Sequence, residues 1–134
     1  MTLPARLWKI LFICVENSNR SQMAEAFARI HGQNKVEAFS AGSHPSGTIN
    51  PQAIKSMAKL GYNLNNHCSK GIQEVPLINY DVAVTMGCGD HYPSVSAKLR
   101  LDWDIPNPKS ASPKGFLTIR NLIESEVKIL LANL

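Results

Sequence analysis

Residues 7–15 form an apolar run broken only by Lys9, and the run leads straight into the octet Cys14-Val15-Glu16-Asn17-Ser18-Asn19-Arg20-Ser21. A helical pattern follows at once. Met23, Ala24, Phe27, Ala28 and Ile30 recur at three- and four-residue spacing across residues 22–31, and Gly32 closes the segment. A nearly continuous apolar strand belongs in a parallel sheet covered on both faces, and parallel strands are joined by crossover helices. The first quarter of the chain therefore confines the fold to strands and helices in alternation.

The remaining periodicity continues that alternation. Residues 36–41 read as a second strand. Asn50-Pro51 opens a helix as N-cap and first-turn proline, with Ala53, Ile54, Met57, Ala58 and Leu60 as its apolar face and Gly61 as its stop. Residues 69–77 are expected to form a short helix cut off by Pro76. A third strand is expected over residues 81–86 and a fourth over 99–103. Ser112-Pro113 then caps a last helix whose apolar face includes Phe116, Ile119, Leu122, Ile123, Val127, Leu130 and Leu131. The expected architecture is a single-domain α/β sandwich with ligands at the carboxyl ends of the strands, where Cys14, Ser40, Cys88 and the loop after Trp103 all fall.

The octet carries chemistry. A short loop between strand and helix turns successive backbone N–H groups inward, and the positive end of the helix dipole points at the same place. A cysteine there favours the thiolate. Arg20 offers a planar fork that grips two oxygens of a tetrahedral oxyanion, which lysine would hold only as a point charge. Ser21 is placed to hydrogen-bond the sulfur, and Asn17 tolerates a left-handed backbone. Alone, Cys14 would read as a small hydrophobe at a strand end. Between a strand and a helix, with Asn17 and Arg20 beside it, it reads as a nucleophile.

Composition narrows the function. At 134 residues the chain buries a sizeable core without staples. Three cysteines without regular spacing are not a disulfide framework, and no pair has zinc-ligand spacing. The histidines His31, His44, His67 and His91 share no metal-like spacing, so no metal site is expected. The net charge of +4 is scattered rather than gathered into a basic run, which points to small anions rather than nucleic acid. Lys9 interrupts the first apolar segment and no small-residue cleavage site follows it. A cytoplasmic protein with no membrane partner is expected.

Ile13-Cys14-Val15-Glu16-Asn17-Ser18-Asn19-Arg20-Ser21-Gln22-Met23-Ala24-Glu25-Ala26, with Ser40-Ala41-Gly42, Asn50-Pro51 and Val84-Thr85-Met86-Gly87-Cys88-Gly89-Asp90, resembles the low-molecular-weight protein tyrosine phosphatase superfamily. The closer likeness is to its thioredoxin-coupled arsenate reductase branch. Gln22 stands where the phosphatases usually carry proline, and their Asp-Pro-Tyr motif is missing. The resemblance implies a three-layer fold on a four-stranded parallel sheet, with Cys14 as nucleophile. Arg20 and the loop Val15, Glu16, Asn17, Ser18, Asn19 and Ser21 would cradle the oxyanion, and Cys88 would be the first redox cysteine. The implied substrate is arsenate or phosphate. No tightly bound cofactor is implied, only an external thiol reductant, either glutathione with a glutaredoxin or thioredoxin.

Three positions depart from that pattern. Tyr92 lies in the stretch where the reductases place a second resolving cysteine, and Asn107-Pro108 stands where the family has its general-acid aspartate before proline. Lys70 replaces an acidic residue that in some members holds potassium, alongside positions matching Asn17, Glu25 and Ser40. Asp104 is the candidate substitute acid, Asp102 reads as a surface carboxylate, and Cys68 is an alternative resolving thiol. Two other functions stay open: a phosphatase working through a phosphocysteine, and a catalytically weak oxyanion-binding or redox-sensing protein.

Overall fold

The computed structural model describes residues 6–87 and 95–134. Its elements follow in chain order: β1 (Trp8–Cys14), α1 (Arg20–His31), β2 (Val36–Gly42), α2 (Pro51–Ala58), β3 (Tyr80–Met86), β4 (Ala97–Trp103) and α3 (Pro113–Ala132). The strands make one parallel sheet in the order β2-β1-β3-β4. The register brings the ends of all four strands to one edge: Cys14 lies opposite Gly42, Ile13 opposite Thr85, and Met86 opposite Trp103.

β1 is apolar from Ile10 onward because both of its faces are covered there. Ile10, Phe12 and Cys14 join the larger cluster, in which Met23 and Phe27 of α1, Ala53 and Met57 of α2, and Phe116, Ile123 and Val127 of α3 pack on the sheet. Leu11 and Ile13 point the other way, towards Ala41, Tyr80, Val75 and Val95. Phe12 and Phe27 are fully buried, and truncation of either to alanine would cost about 3–5 kcal/mol. That cost keeps the start of α1 fixed against the end of β1.

The expected caps are present. Asn50 Oδ1 accepts from the Gln52 N–H at 2.8 Å, and Ser112 Oγ accepts from the Gly115 N–H at 3.1 Å. Three boundaries move by two residues or more: α1 starts at Arg20, inside the octet; α2 ends at Ala58, leaving Leu60 beyond it and 45% exposed; and β4 starts two residues earlier than its apolar pattern suggests. The helix expected over residues 69–77 is a single 3-10 turn, Ile72–Glu74. Pro76 holds the preceding Val75 in extended backbone at φ −101°, ψ 160°, so the turn cannot propagate.

Candidate functional site

The site grows out of the short link between β1 and α1. The segment that follows β2 straps this link from outside: Ser43 N–H donates to the Cys14 carbonyl at 3.1 Å, His44 to Val15 at 2.8 Å, Ser46 to Glu16 at 3.0 Å, and Asn50 to Ser18 at 3.0 Å. In a planar trans peptide the next N–H points away from the carbonyl. Pulling these four carbonyls outward therefore turns the amides of Val15, Glu16, Asn17 and Asn19 to the opposite side. That side is the sulfur's side, since the Asn17 N–H lies 3.3 Å from Cys14 Sγ.

Backbone shape makes this possible at two residues. Asn17 sits at φ 50°, the left-handed conformation expected of it. Gly42 passes so close beneath the link that a Cβ there would meet the Val15 carbonyl at 2.5 Å and the Asn17 nitrogen at 3.0 Å. Asn19 begins α1 with no side-chain capping bond, and the first turn carries no acidic residue. The amides of that turn are thus left for an anion.

Cys14 is 3% exposed, and its sulfur lies 2.8 Å from Ser21 Oγ. Arg20 is buried in the same first turn of α1. Its Nη1 donates to the Ile105 carbonyl at 3.1 Å in the loop after β4. Its guanidinium also lies over Gly87, whose left-handed backbone at φ 72° favours glycine. Beside the link runs a hollow of about 300 Å³ lined by Glu16, Ser18, Asn19, Ser46, Thr48, Asn50 and Lys109. Lys109 Nζ pairs with Glu16 Oε1 at 3.3 Å across it. A somewhat larger hollow of about 380 Å³, under Leu11 and Tyr80, belongs to the other sheet face and touches none of the loop residues.

The other expected site residues divide. Asn107 is exposed, and its Oδ1 accepts from the Lys109 N–H at 3.1 Å as the cap of the Pro108–Ser110 turn. Asp104 is exposed, while Asp102 accepts from Thr85 Oγ1 at 2.8 Å between strands. Cys68 is exposed. Cys88, His91 and Tyr92 lie outside the described residues, although Gly87, next to Cys88, is the glycine under Arg20.

Below the link lies a group of residues to which sequence reasoning did not add Tyr62 and His67. Gln22, fully buried, reaches the Asn17 side chain, the Asn17 carbonyl and the Cys68 carbonyl through Nε2 at 2.8, 3.1 and 2.9 Å. His67 Nδ1 lies 2.9 Å from Gln22 Oε1, and Tyr62 Oη lies 2.6 Å from His67 Nε2. Glu25 is buried nearby, accepting from Ser40 Oγ at 2.6 Å and paired with Arg29 at 2.6 Å. Lys70 Nζ stands 3.9 Å from the same carboxylate and donates to the Cys68 carbonyl at 3.1 Å. His67 had no visible partner in sequence, 45 residues from Gln22. Burial lowers its pKa, and Glu25 opposes that shift.

The family model for low molecular weight phosphotyrosine protein phosphatase matches residues 9–134. The chain belongs to that family. Among its relatives, the glutaredoxin arsenate reductase of Synechocystis sp. is 33% identical over 129 residues, covering 94% of this chain and 98% of the relative. An arsenate reductase of Staphylococcus aureus is 34% identical over 128 residues, covering 92% and 93%. The solved structure of an arsenate reductase in the phosphate binding state superposes with a TM-score of 0.86 at 33% identity, over 95% of this chain and 98% of that one. The likeness to phosphatase-family reductases therefore spans the strapped link, the sheet and all three helices.

Proposed function

We propose that this family member is an arsenate reductase in which Cys14 is the nucleophile. The observation that carries the reading is the convergence on one sulfur of the Asn17 amide, the Ser21 hydroxyl and a concave set of loop amides, with Arg20 in the same turn. Arsenate seated on those amides and on Arg20 would be attacked at arsenic by the Cys14 thiolate, and an arsenic–oxygen bond would break to release water. The thiol of Cys88 would then attack Cys14 Sγ. A sulfur–sulfur bond forms, the sulfur–arsenic pair of electrons stays on arsenic, and arsenic(V) leaves as arsenite while two thiols are oxidised to a disulfide.

An external thiol would reset the disulfide. With Tyr92 in place of a third thiol, the oxidised bond stays in the loop itself, where a compact thiol has easier in-line access than a protein face. This favours glutathione with a glutaredoxin over thioredoxin, in keeping with the name of the Synechocystis relative. Phosphate monoester hydrolysis through the same cysteine is the second reading, supported by the family itself. It is disfavoured by Asn107, whose side chain caps a turn and has no acidic proton to give.

The deciding experiment assays purified protein for arsenite release with glutathione–glutaredoxin and with thioredoxin, and for nitrophenyl phosphate hydrolysis. Arsenite release that vanishes in Cys14→Ser, together with a Cys14–Cys88 bridge by peptide mapping, is expected. Hydrolysis without arsenite release would give the site to the phosphatase reading, and a Cys14–Cys68 bridge would reassign the resolving thiol.

A further inference from the structure

Hydrogen positions beneath the loop can be assigned from one donor that has no choice. The backbone N–H of Lys70 lies 2.9 Å from the Asn17 side-chain oxygen, and a peptide N–H can only donate. Asn17 Oδ1 is therefore the acceptor, and Asn17 Nδ2 is the atom that donates to Ser21 Oγ at 2.8 Å. With that lone pair used, the Ser21 hydroxyl hydrogen is free to point at Cys14 Sγ, 2.8 Å away.

The same assignment runs outward. Gln22 Nε2 faces three oxygens, Asn17 Oδ1 among them, so Gln22 Oε1 is the atom facing His67. His67 Nδ1 must then carry hydrogen. In the neutral ring Nε2 is left as acceptor for the Tyr62 hydroxyl.

We infer that Tyr62, His67 and Gln22 are positioning residues for the nucleophile: with Asn17 and Ser21 they form one chain of hydrogen bonds whose donors all point towards Cys14 Sγ. Links aligned head to tail polarise one another, and the last acceptor gains most when it is an anion. The chain thus favours the sulfur as thiolate and holds Asn17 in the left-handed conformation that aims its amide at the same atom. Burial lowers the pKa of His67, against the pull of Glu25, and so favours the neutral ring that has this direction. The charged groups around it are Glu25 at 3.7 Å and, beyond that carboxylate, Arg29 and Lys70. This inference rests on the reading of Cys14 as nucleophile, and it extends that reading to residues touching neither the oxyanion nor the sulfur.

The test follows the rate of Cys14 alkylation by iodoacetamide against pH, site by site by mass spectrometry, in the full chain. His67→Leu removes the donor to Gln22. It is expected to slow alkylation at pH 6.5 by about 3–10-fold and to move the half-maximal pH upward by about half a unit to one unit. His67→Asn keeps a donor where Nδ1 stood and should recover most of the rate. Tyr62→Phe takes away only the outermost donor and should give a smaller shift in the same direction. A folded His67→Leu protein whose pH profile superposes on the wild type overturns the inference. Should that variant fail to fold, a Tyr62→Phe profile identical to the wild type does so instead. The underlying reading fails separately, in the wild type, if Cys14 reacts slowest or gains no protection from phosphate.

Discussion

Cys14 and Cys68 make a demanding comparison, since one thiol is 3% exposed and the other is open to solvent. Exposure alone would make Cys68 the faster to alkylate. The amides, Ser21 and Arg20 around Cys14 act the other way, because the thiolate is the reacting form. Brief iodoacetamide treatment at pH 7 is therefore expected to label Cys14 ahead of Cys68 and Cys88, with phosphate or arsenate protecting it. Mass spectrometry reads the order. A second residue-level expectation concerns Asn107, held as a turn cap 3.1 Å from the Lys109 N–H. An aspartate would cap equally well and could also donate a proton, a contribution of about 10²- to 10⁴-fold when geometry is ideal. Asn107→Asp should raise phenyl phosphate hydrolysis by at least about tenfold, and more than it raises nitrophenyl phosphate hydrolysis. Equal cleavage of both esters by the wild type would mean either that Asp104 already supplies the proton or that Asn107 does not stand at the position of the family's acid.

At the scale of elements, β3 is tied to the strand ends around it by a carboxylate rather than by apolar contact alone. Asp81 at its start accepts two hydrogen bonds from Arg6, at 2.8 and 3.0 Å, and one from the Lys9 N–H at 2.8 Å. The Arg6 guanidinium, chiefly, holds its pKa down to about 2, against the cost of burial. A carboxylate depressed in this way adds stability that is complete above the ordinary value near 4 and is lost as pH falls from there towards 2. Thermal melts of the wild type should lose a corresponding increment over that interval. Asp81→Asn should melt lower at pH 7 and show a shallower decline on acidification. The elements also show what sequence could reveal. Strand and helix order, the Asn50 and Ser112 caps and the short strand-to-helix link with its left-handed Asn17 were legible because each is set by neighbours in the chain: apolar spacing, cap chemistry, loop composition. The failed helix near Pro76 lost to proline geometry, and β4 was under-read because much of it is exposed on the sheet edge. The Gln22–His67–Tyr62 chain was invisible, for it depends on the path of the segment after α2 beneath α1, and nothing in residues 62–67 marks that path.

For the molecule as a whole, Lys70 places an ammonium 3.9 Å from buried Glu25, the carboxylate that also accepts from Ser40, where some relatives are expected to use a bound cation. Turnover and melting temperature should therefore be the same in potassium and in choline salts, and a large potassium-specific gain would show that the ammonium has not taken that place. The four hydrogen bonds by which Ser43, His44, Ser46 and Asn50 strap the link have a wider consequence. An octapeptide spanning residues 14–21 has nothing to turn its carbonyls outward, so the proposed anion site would exist only while the segment after β2 is docked. Phosphate at a hundred times its dissociation constant would add about 2.7 kcal/mol to the folded state by mass action. Local opening of the strap would lose the site and be opposed by the same amount. The amides of residues 43, 44, 46 and 50 should then exchange with deuterium more slowly in saturating phosphate, by up to about a hundredfold, although none of them is among the amides turned towards the sulfur.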